Sequence, residues 1–162
     1  MSKLHDQARI GVVVAMTIAG SDSSGGAGIQ ADLKTFAAFG VFGTSAITAL
    51  TAQNTQGVRA VHDVPPDMVR AQIDAVFNDM PVAAVKIGMV SQIATSEAIG
   101  AALDQWRPGH VVVDPVMVAT SGAKLVLPQA IDTMRNELLP RASIITPNLP
   151  EAAVLLDQNE AV

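Results

Sequence analysis

Cysteine is absent from the 162 residues, and aromatic residues nearly so: one tryptophan, four phenylalanines and no tyrosine. The first absence excludes disulfides, thiolate chemistry and cysteine-ligated zinc. Charge is thin as well. Asp, Glu, Lys and Arg together make 15% of the chain, the net charge is −5, and no block of Lys or Arg occurs. Neither nucleic acid nor a membrane surface is therefore an expected partner. No run reaches the ~18 apolar residues of a membrane-spanning helix. Residues 1–11 hold no apolar core of signal-peptide length and read as an N-terminal tail, which leaves a cytoplasmic address as the expectation. Internal repeats and low-complexity segments are missing, and His5, His62 and His110 show no metal-ligand spacing. What is abundant is apolar: 49% of the residues, rich in Ala and Val. That is the profile of a soluble α/β protein whose strands are covered on both faces. A chain of this length fits one domain with a proper core.

Gly20-Ser-Asp-Ser-Ser-Gly25-Gly-Ala-Gly-Ile-Gln30-Ala-Asp32 is the most informative stretch. It follows an apolar run, Val12 to Ala19, that suits a buried strand. It leads into Ile29 to Phe39, where Ile29, Leu33, Phe36 and Ala37 recur at helical spacing. Glycines at a strand-to-helix junction let the backbone approach a ligand closely, and the first amides of the helix point outward unpaired. Asp22 and Asp32, on either side, are more than a simple chain reversal needs. The alternation continues. Ser45 to Ala52 reads as a strand, Gln53 to Gly57 as a polar loop, Val58 to Val64 as a short strand, and Pro66 to about Asp79 as a helix with proline near its start. Further strands are expected at Ala83 to Ile87, Val111 to Val113 and Ser143 to Ile145. Further helices are expected at Gln92 to Trp106, Pro128 to Leu139 and from Pro150 onward. This order predicts a mostly parallel sheet with helices on both faces. In such sheets ligands sit outside the carboxyl ends of the strands. Gly20/Asp22, Gln53/Asn54, Lys86/Met89, Asp114 and Thr146/Asn148 fall at or just after strand ends, so together they are expected to line one rim.

Gly26-Ala-Gly28-Ile-Gln-Ala31 satisfies the dinucleotide pattern G-x-G-x-x-A, but two features oppose that reading. Ser21 to Ser24 intervene where a tight turn should leave the strand directly. No acid stands about 20 residues later to hold a ribose; Thr48 to Gln53 occupy that place. A phosphate-binding P-loop sequence is also absent. Gln53 can offer a donor and an acceptor side by side, which suits a ring nitrogen next to an amino group, although a strand-end amide needs no such role. Met89 can floor a planar ring with its thioether, or be a core methionine. Asp114-Pro-Val-Met117 puts a carboxylate at a strand end, followed by the polar loop Ala119-Thr-Ser-Gly122. Asn148-Leu-Pro-Glu151 sets an amide and a carboxylate one helical turn apart. Such a pair can hold the hydration shell of Mg²⁺, while spacing alone favours Glu151 as a first-turn acid complementing the helix dipole.

In order along the chain, these motifs resemble the hydroxymethylpyrimidine/phosphomethylpyrimidine kinases of thiamine biosynthesis, within the ribokinase-like superfamily. The resemblance rests on Thr17-Ile-Ala-Gly-Ser-Asp22 with Ser24 to Lys34, Ile47-Thr-Ala-Leu through Gln53-Asn-Thr55, Lys86-Ile-Gly-Met89, Asp114-Pro-Val-Met117 with Ser121-Gly122, and Thr146-Pro-Asn-Leu-Pro-Glu-Ala152. It covers nearly everything after the first dozen residues and makes residues 12–162 the N-terminal part of a single kinase domain. The resemblance implies an aminopyrimidine pocket lined by Gly20, Ala27, Asp32, Gln53, Met89 and Val116, with Asp32 and Gln53 as polar readers. It implies Mg²⁺ at Asp114 and Glu151, and Asn148 at the ATP site. It further implies a second half, beyond residue 162, with a Gly-rich anion hole, a catalytic base and most adenine contacts. No catalytic residue is therefore assigned within this chain, which on its own is expected to be poorly stable and close to inactive. The alternatives are a non-catalytic pyrimidine-binding protein and a pyridoxal kinase-like specificity, and a homo-oligomer is left open.

Overall fold

A computed structural model describes residues 11–117 and 128–157. The elements run β1 (Val14–Ala19), α1 (Gly28–Ala38), β2 (Phe42–Ile47), β3 (Ala49–Asn54), β4 (Gly57–Asp63), α2 (Pro66–Asp79), β5 (Val82–Ile87), α3 (Ile93–Trp106), β6 (His110–Val113), α4 (Pro128–Thr133), β7 (Ile144–Ile145) and α5 (Leu149–Leu155). Five strands form one sheet in the order β2-β1-β5-β6-β7, every pair parallel. The expected parallel α/β layer is therefore what the chain builds. The tail and the loop Ala119 to Gly122 lie outside the described residues, except that Gly11 is described. Among those residues no helix is long and apolar enough to cross a membrane.

All six residues of β1 are buried, because the strand is covered on both sides. Val14, Met16 and Ile18 point to one face and share a core with Val69 and Ile73 of α2, Ile99 and Leu103 of α3, and Met134 and Leu138. The alternate residues Ala15, Thr17 and Ala19 face α1, where small side chains leave room for the helix. Strands covered on both faces need no polar alternation, which is why β1 reads as a continuous apolar run. Pro66 stands in the first turn of α2, where its missing N–H has no partner to lose. Helix α3 ends on Arg107 in the left-handed conformation, directly before Pro108.

Two expectations require correction. The run Ser45 to Ala52 is not one strand. It breaks at Thr48, whose N–H donates to Ala19 O (3.0 Å) and whose Oγ1 donates to Met89 O (2.8 Å). After that break β3 leaves the main sheet and pairs antiparallel with β4. Gln53 and Asn54 consequently belong to the hairpin strand rather than to a loop, and the turn is confined to Thr55 and Gln56. The helix expected at Pro128 to Leu139 starts as α4 but continues through a π turn (Met134–Leu138) into a 3-10 turn (Leu139–Arg141). Pro140, with no N–H to donate to the preceding turn, stands where the register changes.

Candidate functional site

The site begins where β1 hands over to α1. Gly28 opens the helix at φ 56°, and a Cβ there would sit 2.4 Å from Gly20 O, so glycine is required on both counts. That approach lets the Ile29 N–H donate to Gly20 O at 3.0 Å. No side chain caps α1 in the usual position. Asp22 reaches the helix entrance from upstream instead. Its Oδ2 accepts the N–H groups of Gly26 (2.9 Å) and Ala27 (2.8 Å), its Oδ1 accepts the Ser24 N–H (2.8 Å), and Ser24 Oγ donates to the same carboxylate. Burial alone would push the Asp22 carboxyl up. The hydrogen bonds from Ser24, Ala27 and Gly26 outweigh burial and hold it below the ordinary carboxylate range. Asp22 thus organises the loop and leaves little of its carboxylate for a ligand.

The serines that interrupt the dinucleotide pattern fasten the hairpin to this loop. The Ser21 N–H donates to Ala49 O at 2.8 Å, and Ser21 O accepts from Thr51 Oγ1 at 2.8 Å. Ser23 Oγ donates to Gln53 O (2.6 Å) and accepts from the Gln53 N–H (2.8 Å). Thr51 Oγ1 also lies 3.3 Å from Gln53 Oε1 and orients the side-chain amide. At its base the hairpin is held by Asp63, whose two carboxylate oxygens accept Ser91 Oγ and Gln92 Nε2.

Across the loop, Asp32 faces the sheet from α1. The fully buried Thr17 donates to its Oδ2 at 2.6 Å, and Lys86 of β5 pairs with it at 3.2 Å. Lys86 also pairs with Asp114, just past β6, at 3.4 Å. These elements enclose a cavity of about 290 Å³. Gly20, Ala27, Asp32, Gln53, Met89 and Val116 all line it, and Asp114 stands at its wall. Lys86, expected on the rim but given no part in the pocket, lines it as well, and so do Ser21, Thr51 and Val58, which sequence reasoning did not single out. For Lys86 the signal was a lone lysine in the otherwise apolar run Val82–Ile87.

Asn148 and Glu151 lie elsewhere on the same rim, after β7, and do not line the cavity. They close a capping box on α5: the Glu151 N–H donates to Asn148 Oδ1 and the Asn148 N–H to Glu151 Oε2, both at 2.9 Å. Among the described residues no three His, Asp or Glu side chains converge as a ready-made metal cage. A hydrated Mg²⁺ asks for less, one or two carboxylates plus phosphate oxygens. Asp114 Oδ1 and Glu151 Oε1 accept no hydrogen bond from the described residues, so each carboxylate retains one oxygen for such an ion.

A parallel five-strand layer, a glycine loop entering a helix and a hairpin fastened beside a cavity of about 290 Å³ make up a ribokinase-like fold. The profile of the family described as phosphomethylpyrimidine kinase matches residues 22–161, and the chain belongs to that family. It is 54% identical over 147 residues to the hydroxymethylpyrimidine/phosphomethylpyrimidine kinase of Escherichia coli K12, covering 91% of this chain and 55% of that protein. The crystal structure of phosphomethylpyrimidine kinase from Clostridium difficile 630 superposes with a TM-score of 0.84 at 53% identity, covering 90% of this chain and 63% of that one. An ADP complex of Bacillus subtilis pyridoxal kinase gives 0.82 at 38% identity, covering 92% and 57%. The chain thus spans about half the length of the curated relatives it matches.

Proposed function

We propose that residues 12–162 form the N-terminal part of a single kinase domain acting in the cytoplasm. The kinase transfers the γ-phosphoryl of ATP to 4-amino-5-hydroxymethyl-2-methylpyrimidine and then to its monophosphate, in thiamine biosynthesis. The observation that carries this reading is the cavity whose walls bring together Gly20, Ala27, Asp32, Gln53, Met89 and Val116. Gln53 offers Nε2 to a ring nitrogen and Oε1 to the neighbouring amino group, and Asp32 accepts a further N–H. Met89 floors the ring, while Gly20, Ala27 and Val116 keep the walls small and dry. In the first transfer the substrate hydroxyl gives up its proton to solvent and forms an ester bond to the γ-phosphorus as the bond to the β-phosphate bridging oxygen breaks, releasing ADP. In the second a phosphate oxygen of the monophosphate attacks in the same way and forms a phosphoanhydride. Asp114 and Glu151 hold Mg²⁺, with Asn148 beside the nucleotide. When bound, that ion supplies neutralising charge for the phosphates. Within these residues the pocket positions the acceptor, and no base is assigned.

Calorimetric titration of the 162-residue chain tests the reading. Binding of the aminopyrimidine, not displaced by an equal concentration of pyridoxal, is expected. Tighter binding of pyridoxal replaces the substrate, a second reading favoured by the likeness to the Bacillus subtilis pyridoxal kinase. Binding of neither removes the proposal.

A further inference from the structure

The cavity is acidic, since Asp22, Asp32 and Asp114 all line it, and Lys86 is the one cation among the described residues that do. Its Nζ stands 3.2 Å from each carboxylate oxygen of Asp32 and 3.4 Å from Asp114 Oδ2. The ammonium therefore bridges the wall carried by α1 and the wall that follows β6. Room for it is made by Gly88, two residues on, where a Cβ would lie 3.0 Å from Nζ and 3.1 Å from Ala19 Cβ. The Lys86 side chain is still 23% exposed, toward a cavity that has to admit a phosphate ester past three carboxylates. Uncompensated, those like charges would repel it. A lysine presents three rotatable N–H donors around a compact charge and can turn one of them without moving its stem.

Resting on the reading above, we propose that Lys86 is the anion-holding residue of this pocket. It takes a phosphoryl oxygen on the substrate's hydroxymethyl arm, and so lets one cavity accept the monophosphate as well as the alcohol. One N–H turns from Asp114 to the phosphoryl oxygen while the contact with Asp32 persists. Gly88 serves as the residue that leaves space for the ammonium.

The test is calorimetry on the 162-residue chain with the alcohol and the monophosphate as separate ligands, for the native chain, Lys86→Arg, Lys86→Met and Gly88→Ala. Lys86→Met is expected to weaken the monophosphate about 10- to 100-fold more than the alcohol, the range for a lost hydrogen bond to a charged group. Lys86→Arg is expected to keep most of the difference, because the charge remains. Gly88→Ala crowds the ammonium without removing it and is expected to lower the monophosphate preference several-fold, so the question is answered even if Lys86→Met fails to fold. Equal weakening of both ligands in Lys86→Met, or an unchanged ratio in Gly88→Ala, reduces Lys86 to a counter-ion that positions Asp32 and overturns the proposal. A native chain that binds the alcohol and rejects the monophosphate overturns the Lys86 assignment alone, whereas one that binds neither overturns the pyrimidine reading beneath it.

Discussion

Asp22 and Glu151 are both carboxylates buried just past a parallel strand, 2% and 7% exposed, yet they belong to differently built ends of the rim. Asp22 accepts from Ser24, Gly26 and Ala27 and closes a loop against a strand buried along its whole length. Glu151 accepts one backbone amide, beside β7 at the edge of the sheet, where Ile144 and Ile145 are 59% and 45% exposed. Leu149 and Leu156, at either end of α5, are exposed as well. At the first end the polar groups and apolar faces are satisfied by neighbouring elements, giving a pocket fixed before any ligand arrives. Among the described residues the second end presents apolar surface and a strand with a neighbour on one side only. Preorganisation is thus concentrated where a ring is proposed to be read.

The largest expected effect contrasts two isoleucines on the same sheet. Ile18→Ala in β1 is expected to lower the unfolding free energy by about 2–5 kcal/mol, since the cavity opens in a packed core. Ile145→Ala at the β7 edge is expected to stay within about 0.5 kcal/mol. Urea denaturation of both variants decides it, and equal losses would show that β7 is as well packed as β1.

Next in size is Asp22. Asp22→Ala strips partners from the amides of Gly26 and Ala27 and is expected to cost roughly 2–4 kcal/mol. Because the folded state holds its pKa below the unfolded value of about 3.9, the stabilisation is complete above that value. It is lost as pH falls through the lower folded one. Melting curves of the native chain and Asp22→Asn should therefore converge as pH drops below about 4. A constant gap between them across that window would mean the charge of Asp22 contributes nothing.

Much of this contrast was legible in advance, and the parts that were not have a common cause. Val12 to Ala19 announced a strand covered on both faces, and the carboxyl-end rule placed Gly20, Met89 and Asp114 together. The hairpin was hidden because Ser45 to Ala52 contains no glycine or proline to mark a break. The break comes from hydrogen bonds between Thr48 and the distant Ala19 and Met89. Asp22 and Asp32 looked alike beside one glycine loop. Only the fold shows one enclosed by backbone amides and the other turned toward Thr17 and Lys86. Ser21 and Ser23 counted as an interruption of a familiar pattern until their contacts with Thr51 and Gln53 gave them a purpose.

Binding sharpens the comparison from the ligand's side. Gln53→Ala and Asp32→Ala are each expected to weaken the aminopyrimidine by about 1–3 kcal/mol, because a pocket group left unpaired retains its desolvation penalty. Calorimetry is the measurement. Unchanged affinity in both variants would mean that the ring is read by other groups.

Asn148→Ala gives the smallest effect and tests the open end directly. The side chain accepts the Glu151 N–H as one half of the capping box, and loss of such a cap costs typically about 1 kcal/mol. Helix α5 has only seven residues and exposed leucines at both ends, so it can fray locally without disturbing the β1 core. Hydrogen exchange is expected to speed up at the amides of α5 while those of β1 and β5 keep their protection. The aminopyrimidine affinity is expected to stay within twofold of the native chain, since Asn148 does not line the cavity. Loss of protection in β1, or a tenfold drop in affinity, would show that the two ends of the rim are coupled and that the pocket depends on the capping box for its shape.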